Sequence, residues 1–321
     1  MKIIEVREFG GPETLTVSRA PEPVPGPGEA VVGMVAVDTL FVDTMIRSGR
    51  ARDFFAVRPP YVPGGGGAGR VLRVGEGVDP RWVGRRVLTY TGDLGGHGGS
   101  AERVAVPARG LIPVPDGVDL RVAAALLHDG VTALGLLEGV GIGPGERVLI
   151  VGATGGMGVL LVQLVRAAGA HVIAAARGER KLALARELGA DEVVDCARDG
   201  WTNGLGEVDV VLDGVGGDVG RAAFELVARG GRFSAHGTPA GGFATVDAEE
   251  ARRRGVTLRG IADLRFDLAE RVRLAAAALT EAAAGRLRPV IGQTFPLERA
   301  AEAHAAIEAR RVVGKTLLLT G

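Results

Sequence analysis

The sequence predicts an α/β protein of two domains, one with a mostly antiparallel, barrel-like sheet and one with a parallel, doubly wound sheet. Three observations carry this prediction. Short β-rich runs separated by Pro and Gly fill the chain up to residue 118, apolar strands then alternate with amphipathic helices, and short segments return after residue 285. The first pattern is typical of antiparallel sheets and the second of parallel ones. We therefore place the first domain at residues 1–118, completed by 286–321, and the second at residues 119–285.

The first domain is predicted from six strand-like runs: KIIEVREF, LTVSRA, EAVVGMVAV, GRVLRVG, RRVLTY and SAERVAVP. PEPVPGPGE at residues 21–29 is a stiff, turn-forming connector inside it. The C-terminal run VVGKTLLLTG predicts a further strand that joins this domain. PGGGGAGRV at residues 63–71 needs its own explanation, because glycine loses the most backbone freedom on folding. The run could cradle a phosphate, form a linker, or mark positions where side chains have been removed.

The second domain opens with the helical run DLRVAAALLHDGVTALGLLEGVG and closes with an Ala-rich helix at residues 267–285. Between them, predicted strands and helices alternate as a doubly wound sheet requires. The predicted strands are RVLIVGA (147–153), HVIAAAR (171–177), DEVVD (191–195), DVVLDGVG (209–216), GRFSAHG (231–237) and VTLRGI (256–261). The predicted helices between them are GGMGVLLVQLVRAAG (155–169), ERKLALARELG (179–189) and GDVGRAAFELVARGG (217–231).

Composition excludes several classes of function. The 38 basic and 38 acidic residues give no net charge, so nothing directs the chain to nucleic acid or an anionic membrane. One cysteine, Cys196, excludes an internal disulfide and a multi-cysteine metal site, and we expect it only to pack. No apolar stretch is long enough to span a bilayer, and MKIIEVREFGG lacks a signal-peptide pattern. We expect a cytoplasmic enzyme.

The strongest local motif lies between a predicted apolar strand and a predicted helix. Ala153, Gly155 and Gly158 form the A-x-G-x-x-G variant of the dinucleotide fingerprint. Gly155 permits close approach of the backbone to a pyrophosphate, and Gly158 lets the helix pack closely on the strand. The helix N-terminus offers free N–H groups to the phosphate. The cofactor-binding candidates in this loop are Thr154, Gly155, Gly156, Met157 and Gly158.

The end of the next strand decides between NAD and NADP. An acid there binds the ribose hydroxyl of NAD, whereas Arg accommodates the 2′-phosphate of NADP. This chain has Arg177, followed by Arg180 and Lys181, and its first acid, Glu179, comes two residues after the strand end. Cations are mildly unfavourable at a helix N-terminus, so the cluster favours phosphate binding over a solvated surface. We predict NADPH as the cofactor.

Seven segments then resemble a known family, in order and spacing over nearly the whole chain: GGSAERVAVPARGLIPVPDGV, AAALL-x-x-G-V-T-A, GERVLIVGATGGMG, KLALARELGADEVVD, DVVLDGVGG, ARGGRFSAHG and FPLERAAEAHAAIEARRVVGKTLLL. They resemble the zinc-free, zeta-crystallin-like quinone oxidoreductases of the medium-chain dehydrogenase/reductase superfamily. The resemblance implies a GroES-like substrate domain, a Rossmann domain, an active-site cleft between them and a homodimer. VTLRGI resembles the edge strand that relatives pair across the dimer.

The resemblance also implies that no metal is bound. Zinc-dependent relatives place ligands at the positions of Leu40, Gly65, Gly66 and His128. One imidazole cannot hold a catalytic zinc, which needs three protein ligands. PGGGGAGRV therefore looks like the emptied half of a metal site, and ATGGMG takes the role of the phosphate cradle.

Five further positions match the family's cofactor site. Thr132 resembles the threonine beside the nicotinamide, with a helix-interior threonine as the alternative. Gly314 and Lys315 match the segment that returns to the cofactor, where the backbone makes the contact. Gly237 and Thr238 follow a strand end and line the cofactor cleft, with an ordinary turn as the alternative.

The substrate pocket is expected to be formed by Leu40, Met45, Gly65 and Gly66. Many relatives have Asn and Tyr at the Leu40 and Met45 positions, so this pocket favours a bulky apolar substrate, although Met45 could simply pack in the core. His128 is a candidate to donate a proton or hydrogen bond to the substrate oxygen, with a structural role as the alternative.

Three further acidic or imidazole side chains are candidates near this pocket. Asp129 adjoins His128, Asp43 is expected to brace the start of the DTMIRSG helix, and His97 lies in the loop GGHGGS.

The sequence thus predicts an NADPH-dependent, zinc-independent reductase of a quinone or an α,β-unsaturated carbonyl compound. Without a Lewis acid, such acceptors are easier to reduce than alcohols are to oxidise, because the negative charge delocalises onto oxygen. The alternatives are a natural-product tailoring enzyme, either an enoyl reductase or a non-redox relative, and an NADPH-binding sensor without turnover.

Overall fold

The computed structural model describes residues 1–92 and 98–321, which form two compact units. The first unit comprises residues 1–131 and 267–321, and the second comprises residues 132–266. His97, a candidate from the sequence, lies outside the described residues.

The strands are β1 (Lys2–Val6), β2 (Leu15–Arg19), β3 (Glu29–Thr39), β4 (Gly66–Val74), β5 (Arg86–Tyr90), β6 (Arg103–Pro107), β7 (Ile112–Pro113), β8 (Arg147–Val151), β9 (His171–Ala176), β10 (Glu192–Asp195), β11 (Val208–Asp213), β12 (Val227–Ala235), β13 (Thr257–Gly260), β14 (Ile291–Pro296) and β15 (Lys315–Leu319). The helices are α1 (Phe41–Arg47), α2 (Leu120–Leu126), α3 (Asp129–Val140), α4 (Gly156–Ala167), α5 (Glu179–Glu187), α6 (Gly217–Glu225), α7 (Ala248–Arg254), α8 (Leu268–Ala283) and α9 (Ala300–Glu308).

The compact units differ from the predicted domains by two helices. Helix α2 packs on β3, β4 and β15, and α8 packs on α2 and β7. Both helices therefore belong with the sheet of the first unit, which reaches Val131 and resumes at Asp267. The sequence had placed these boundaries after residue 118 and after residue 285.

The first unit is built around one mostly antiparallel sheet in the order β14-β15-β3-β4-β5-β7, with β6 also paired to β3. Among the described strands of this sheet, only β14 and β15 pair in parallel, and β1 and β2 form a separate antiparallel pair. The predicted return of the C-terminal strand is confirmed, because β15 pairs with β3 through Leu317 opposite Asp38. Ile4 and Val87 share its core with Leu318, so both ends of the chain stabilise this unit.

The second unit contains a six-stranded parallel sheet in the order β10-β9-β8-β11-β12-β13. The chain winds outward from β8 in both directions, which confirms the doubly wound sheet and places a switch point between β8 and β11. Apolar side chains such as Leu149, Phe224 and Phe233 form the core on one of its faces. Cys196 is a buried free thiol in the same core, as predicted.

One helix boundary differs from the prediction. The sequence predicts a helix through residue 231, but α6 ends at Glu225 and β12 begins at Val227. Val227 pairs with Val208, and the pairing then shifts register before Arg232. Glycines fill this bulge because a Cβ at Gly231 would lie 2.7 Å from the Asp209 carbonyl oxygen. The ARGG segment is therefore strand and bulge rather than helix.

Among the described residues, no single helix is long and apolar enough to cross a bilayer. The bent pair α2 and α3 has sufficient length and apolar character only when its two helices are taken together.

Candidate active site

The first unit contains a buried charge cluster, which we define as Asp38, His128, Asp129 and Lys315. His128 lies between α2 and α3, and its Nδ1 is 2.8 Å from Oδ2 of Asp38 near the end of β3. Nζ of Lys315, at the start of β15, lies 2.8 Å from Oδ1 of Asp38 and 2.8 Å from Oδ2 of Asp129. Asp38, His128 and Lys315 are all buried. The fold thus joins four charged or titratable groups from distant parts of the sequence.

Electrostatics fix the proton positions in this cluster. Burial raises the pKa of Asp38, but Lys315 and His128 outweigh that effect and hold this pKa below its ordinary value. Burial likewise disfavours the Lys315 ammonium, but Asp129 and Asp38 outweigh it and raise the pKa of Lys315. Asp38 is therefore a carboxylate and accepts a hydrogen bond from Nδ1–H of His128. Nε2 is then the ring nitrogen of His128 that Asp38 does not engage.

The glycine run meets this cluster at one position. A Cβ added at Gly65 would lie 2.9 Å from Nε2 of His128, so this nitrogen packs against a position that carries no side chain. Gly66 behaves differently: its φ is +144°, and a Cβ there would lie 2.2 Å from the Thr89 carbonyl oxygen. The prediction that Gly66 also leaves room is wrong in this respect, since backbone crowding against β5 explains that glycine.

The start of α1 holds the other predicted pocket residues. The Leu40 N–H donates to Oδ2 of Asp43 at 2.8 Å, which confirms that Asp43 braces the helix. Burial raises the pKa of Asp43 to about 6. Met45 packs against the core of the first unit, as the alternative interpretation had it. Leu40 and Met45 as substrate-contacting residues stay predictions.

Two residues of this region were missed in the sequence analysis. One is Asp38. The sequence could have indicated it, because its carboxylate directly follows the apolar run AVVGMVAV within a single strand. The other is Tyr90, whose ring lies edge-on to His128 at 5.3 Å and whose hydroxyl donates to the Leu127 carbonyl at 2.9 Å. Burial raises the pKa of Tyr90, so this residue is a neutral phenol.

The second unit forms a cradle between β8 and α4. Helix α4 begins directly after the exposed Gly155, so its first N–H groups have no partner within the helix. A Cβ at Gly158 would lie 2.2 Å from the Gly152 carbonyl oxygen, so only glycine permits this approach of helix to strand. Thr154 is buried in the turn, and Gly156 and Met157 form the first helical positions. This geometry suits a bound pyrophosphate.

The cation cluster follows β9, as the sequence places it. Partial burial lowers the pKa of Lys181, and repulsion from Arg177 and Arg180 lowers it further. Lys181 thus lies close enough to Arg177 and Arg180, after the end of β9, to be repelled by both. A phosphate between them would relieve that repulsion.

The remaining predicted cofactor residues lie in different places. Gly237 follows β12, and its N–H donates to the Asp213 carbonyl at 3.2 Å, so Gly237 and Thr238 lie at the same sheet edge as the cradle. Thr132 lies on α3. Gly314 and Lys315 belong to the first unit, where the Lys315 side chain is engaged in the charge cluster. The cofactor contacts of these residues stay predictions.

One histidine at this edge was not singled out from the sequence. His236 precedes Gly237, and its Nε2 lies 3.2 Å from the position that a Cβ of Gly214 would take. Desolvation lowers its pKa to about 4, so the imidazole is neutral at physiological pH. Its signal was its place near the end of a predicted strand, beside Gly237.

Two family models each match part of the chain. The alcohol dehydrogenase GroES-like domain matches residues 26–116, and the zinc-binding dehydrogenase model matches residues 188–318. With the doubly wound sheet, these matches confirm the predicted GroES-like and Rossmann architecture. The chain belongs to the quinone oxidoreductases of the medium-chain dehydrogenase/reductase superfamily, and this membership makes it an oxidoreductase.

Particular relatives extend over the whole chain. Quinone oxidoreductase of Pseudomonas aeruginosa is 32% identical over 99% of each chain. The 2-haloacrylate reductase of a Burkholderia species is 32% identical over 98% of this chain and 97% of its own. Escherichia coli quinone oxidoreductase complexed with NADPH superposes with a TM-score of 0.90, at 26% identity and 100% coverage of both chains. An NAD-dependent alcohol dehydrogenase superposes with a TM-score of 0.89, at 32% identity and 100% coverage of both.

Proposed function

We propose that this chain is an NADPH-dependent reductase that transfers hydride to a quinone or an α,β-unsaturated carbonyl compound without zinc. The observation that carries the proposal is a pairing of two features. The sheet edge that would bind the nucleotide ends in three cations after β9. Of the four positions where zinc-dependent relatives place ligands, three hold Leu40, Gly65 and Gly66, which have no donor atoms in their side chains.

The residues of the second unit fit the cofactor. The free N–H groups at the start of α4 would hold the pyrophosphate, and Gly155 would let it approach the backbone. Arg177, Arg180 and Lys181 would hold the 2′-phosphate that distinguishes NADPH from NADH. The bound nicotinamide would supply the hydride. The Escherichia coli relative complexed with NADPH supports this cofactor.

The first unit supports the class of substrate. An acceptor in which carbonyl and double bond are conjugated spreads the incoming negative charge onto oxygen, so the protein needs to orient it and offer a hydrogen bond. Leu40 and Met45 would favour an apolar, bulky acceptor. The relatives named quinone oxidoreductase and 2-haloacrylate reductase support such an acceptor. We also propose a homodimer through β13, which lies at one edge of its sheet.

Consumption of NADPH with a panel of acceptors tests the proposal. The panel contains 1,4-benzoquinone, 9,10-phenanthrenequinone and simple enones, and NADPH oxidation is followed by absorbance. We expect turnover with at least one of them. Tight binding of NADPH without turnover across the panel would contradict the proposal and favour a sensor or a non-redox tailoring enzyme.

Exchange of Arg177 for Asp tests the cofactor. Each charge-assisted contact of a guanidinium with a phosphate contributes roughly 1.5–3 kcal/mol, so Arg177→Asp should weaken NADPH binding about 10- to 100-fold and leave NADH binding nearly unchanged. Kd values for both cofactors, measured by calorimetry, check this. Arg186→Asp on α5, where Arg186 pairs with Glu179 at 2.7 Å, carries the same charge change and is the control. Equal NADPH affinity in the two variants would refute the assignment.

A further inference from the structure

We infer that His128 and Asp38 form a proton-donating pair in which Nε2 of His128, beside Gly65, protonates the reduced acceptor, with Lys315 as a positioning residue. The inference rests on the proposed reductase function and deepens it, because it names the group that completes the reaction after hydride transfer.

The geometry leaves one nitrogen of His128 able to donate a proton to the acceptor. Nδ1 is held by the Asp38 carboxylate at 2.8 Å, so this nitrogen keeps its hydrogen. Within the described residues, Nε2 has no hydrogen-bond partner, and it faces the missing side chain of Gly65 at 2.9 Å from the Cβ position. A donor for a substrate needs such a free nitrogen on an otherwise fixed ring.

The surroundings hold the ring in one orientation. Asp38 cannot turn freely, because Lys315 binds its other oxygen at 2.8 Å and is itself bound to Asp129. The Tyr90 ring packs edge-on against the imidazole. Preorganisation of this kind is what an acid that acts on a bound substrate requires.

The charges of the cluster suit a group that is protonated before transfer and neutral after it. The titratable groups facing His128 are Asp38 on β3, Asp43 on α1, Tyr90 at the end of β5 and Lys315 on β15. Asp38 and Asp129 carry two negative charges and Lys315 carries one positive charge. Protonation of His128 makes this cluster neutral, and transfer of the proton leaves one net negative charge.

The step balances without a further reactant. An acceptor that has taken up hydride carries two added electrons and one negative charge, which conjugation places on oxygen. The Nε2–H bond of His128 then breaks, its electron pair stays on nitrogen, and an O–H bond forms on the acceptor. The neutral imidazole regains a proton from water. The inference therefore points to acceptors whose reduced form is an oxyanion, as quinones and enones are.

The test compares His128→Gln with His171→Gln, a control on β9 outside the cluster. A positioned acid contributes about 10²- to 10⁴-fold, so His128→Gln should lower kcat about 100-fold with NADPH affinity unchanged. Any loss of kcat at high pH that the wild type and the control share should be absent from His128→Gln. In ¹H–¹⁵N NMR spectra, the hydrogen-bonded Nδ1–H signal should be present in the wild type and the control and absent in His128→Gln.

A second variant keeps the imidazole of His128 but covers its Nε2 atom. Gly65→Ala places a methyl group against Nε2, so it should lower kcat at least 10-fold while the Nδ1–H signal and NADPH binding persist. This variant decides the matter even where His128→Gln does not fold. Where the wild type turns over, either of two results would overturn the inference without contradicting the proposed reductase function. One is an unchanged kcat and pH profile in His128→Gln, and the other is an unchanged kcat in Gly65→Ala. A wild type that consumes no NADPH with any acceptor would overturn both.

Discussion

Lys315→Met should lower the free energy of unfolding by about 3–5 kcal/mol, since removal of one partner from a buried ion pair leaves an uncompensated charge. Lys315 is 4% exposed, and its ammonium contacts the carboxylates of Asp38 and Asp129 at 2.8 Å each. Asp38 is itself 1% exposed, so solvent cannot replace the lost partner. Urea denaturation at neutral pH measures the change.

A control variant and a pH series distinguish the loss of the buried ion pair from the loss of a surface lysine. Lys2 pairs with Glu298 at the surface, where both side chains are about two-fifths exposed, so Lys2→Met should leave the denaturation midpoint almost unchanged. The Lys315→Met deficit should shrink as the pH falls, because protonation of Asp38 removes its uncompensated charge. A deficit that is small, or that does not depend on pH, would mean that the Lys315 ammonium does not stabilise the buried carboxylates.

Much of the fold could be predicted because the patterns behind it are local. The alternation of apolar strands and helices from Arg147 to Gly260 sets the parallel sheet, and turn residues mark nearly all of its boundaries. The boundary between α6 and β12 could not be predicted, because ARGG is compatible with a helix end. Its strand conformation depends on the pairing of Val227 with Val208, which is a contact between segments distant in sequence.

The candidate site could be predicted only where one residue type carries the chemistry. The loop around Gly155 and the cations after β9 have local signatures, and the absence of donor side chains at Leu40, Gly65 and Gly66 can be read directly from the sequence. The partner of His128 has none: Asp38 lies 90 residues away in the chain and meets the imidazole only when the sheet forms. The sequence also could not show why glycine occupies each of the adjacent positions Gly65 and Gly66. A Cβ at Gly65 would meet the His128 side chain, whereas a Cβ at Gly66 would meet the backbone of Thr89.

Gly158→Ala should disrupt the second unit, because the added methyl group would lie 2.2 Å from the Gly152 carbonyl oxygen and 2.7 Å from the Ala153 carbonyl carbon. Both are backbone atoms, which cannot rotate away as a side chain can. Helix α4 must therefore move off β8, and overpacking of this kind costs about 1–3 kcal/mol or more. We expect a lower midpoint in urea together with at least a 10-fold loss of NADPH affinity.

Gly155→Ala is the informative comparison, since the same methyl group there would lie 3.5 Å from the Gly152 carbonyl oxygen, an ordinary contact. The backbone at Gly155 has φ −75° and ψ 176°, which alanine adopts without strain. This variant should keep the wild-type midpoint but bind NADPH more weakly, because its methyl group would point at the expected pyrophosphate. If Gly155→Ala loses NADPH affinity but not stability, Gly155 is required for the cofactor. If Gly158→Ala loses both, Gly158 is required for the packing of helix on strand. Full NADPH affinity in Gly155→Ala would show that the pyrophosphate does not approach this turn.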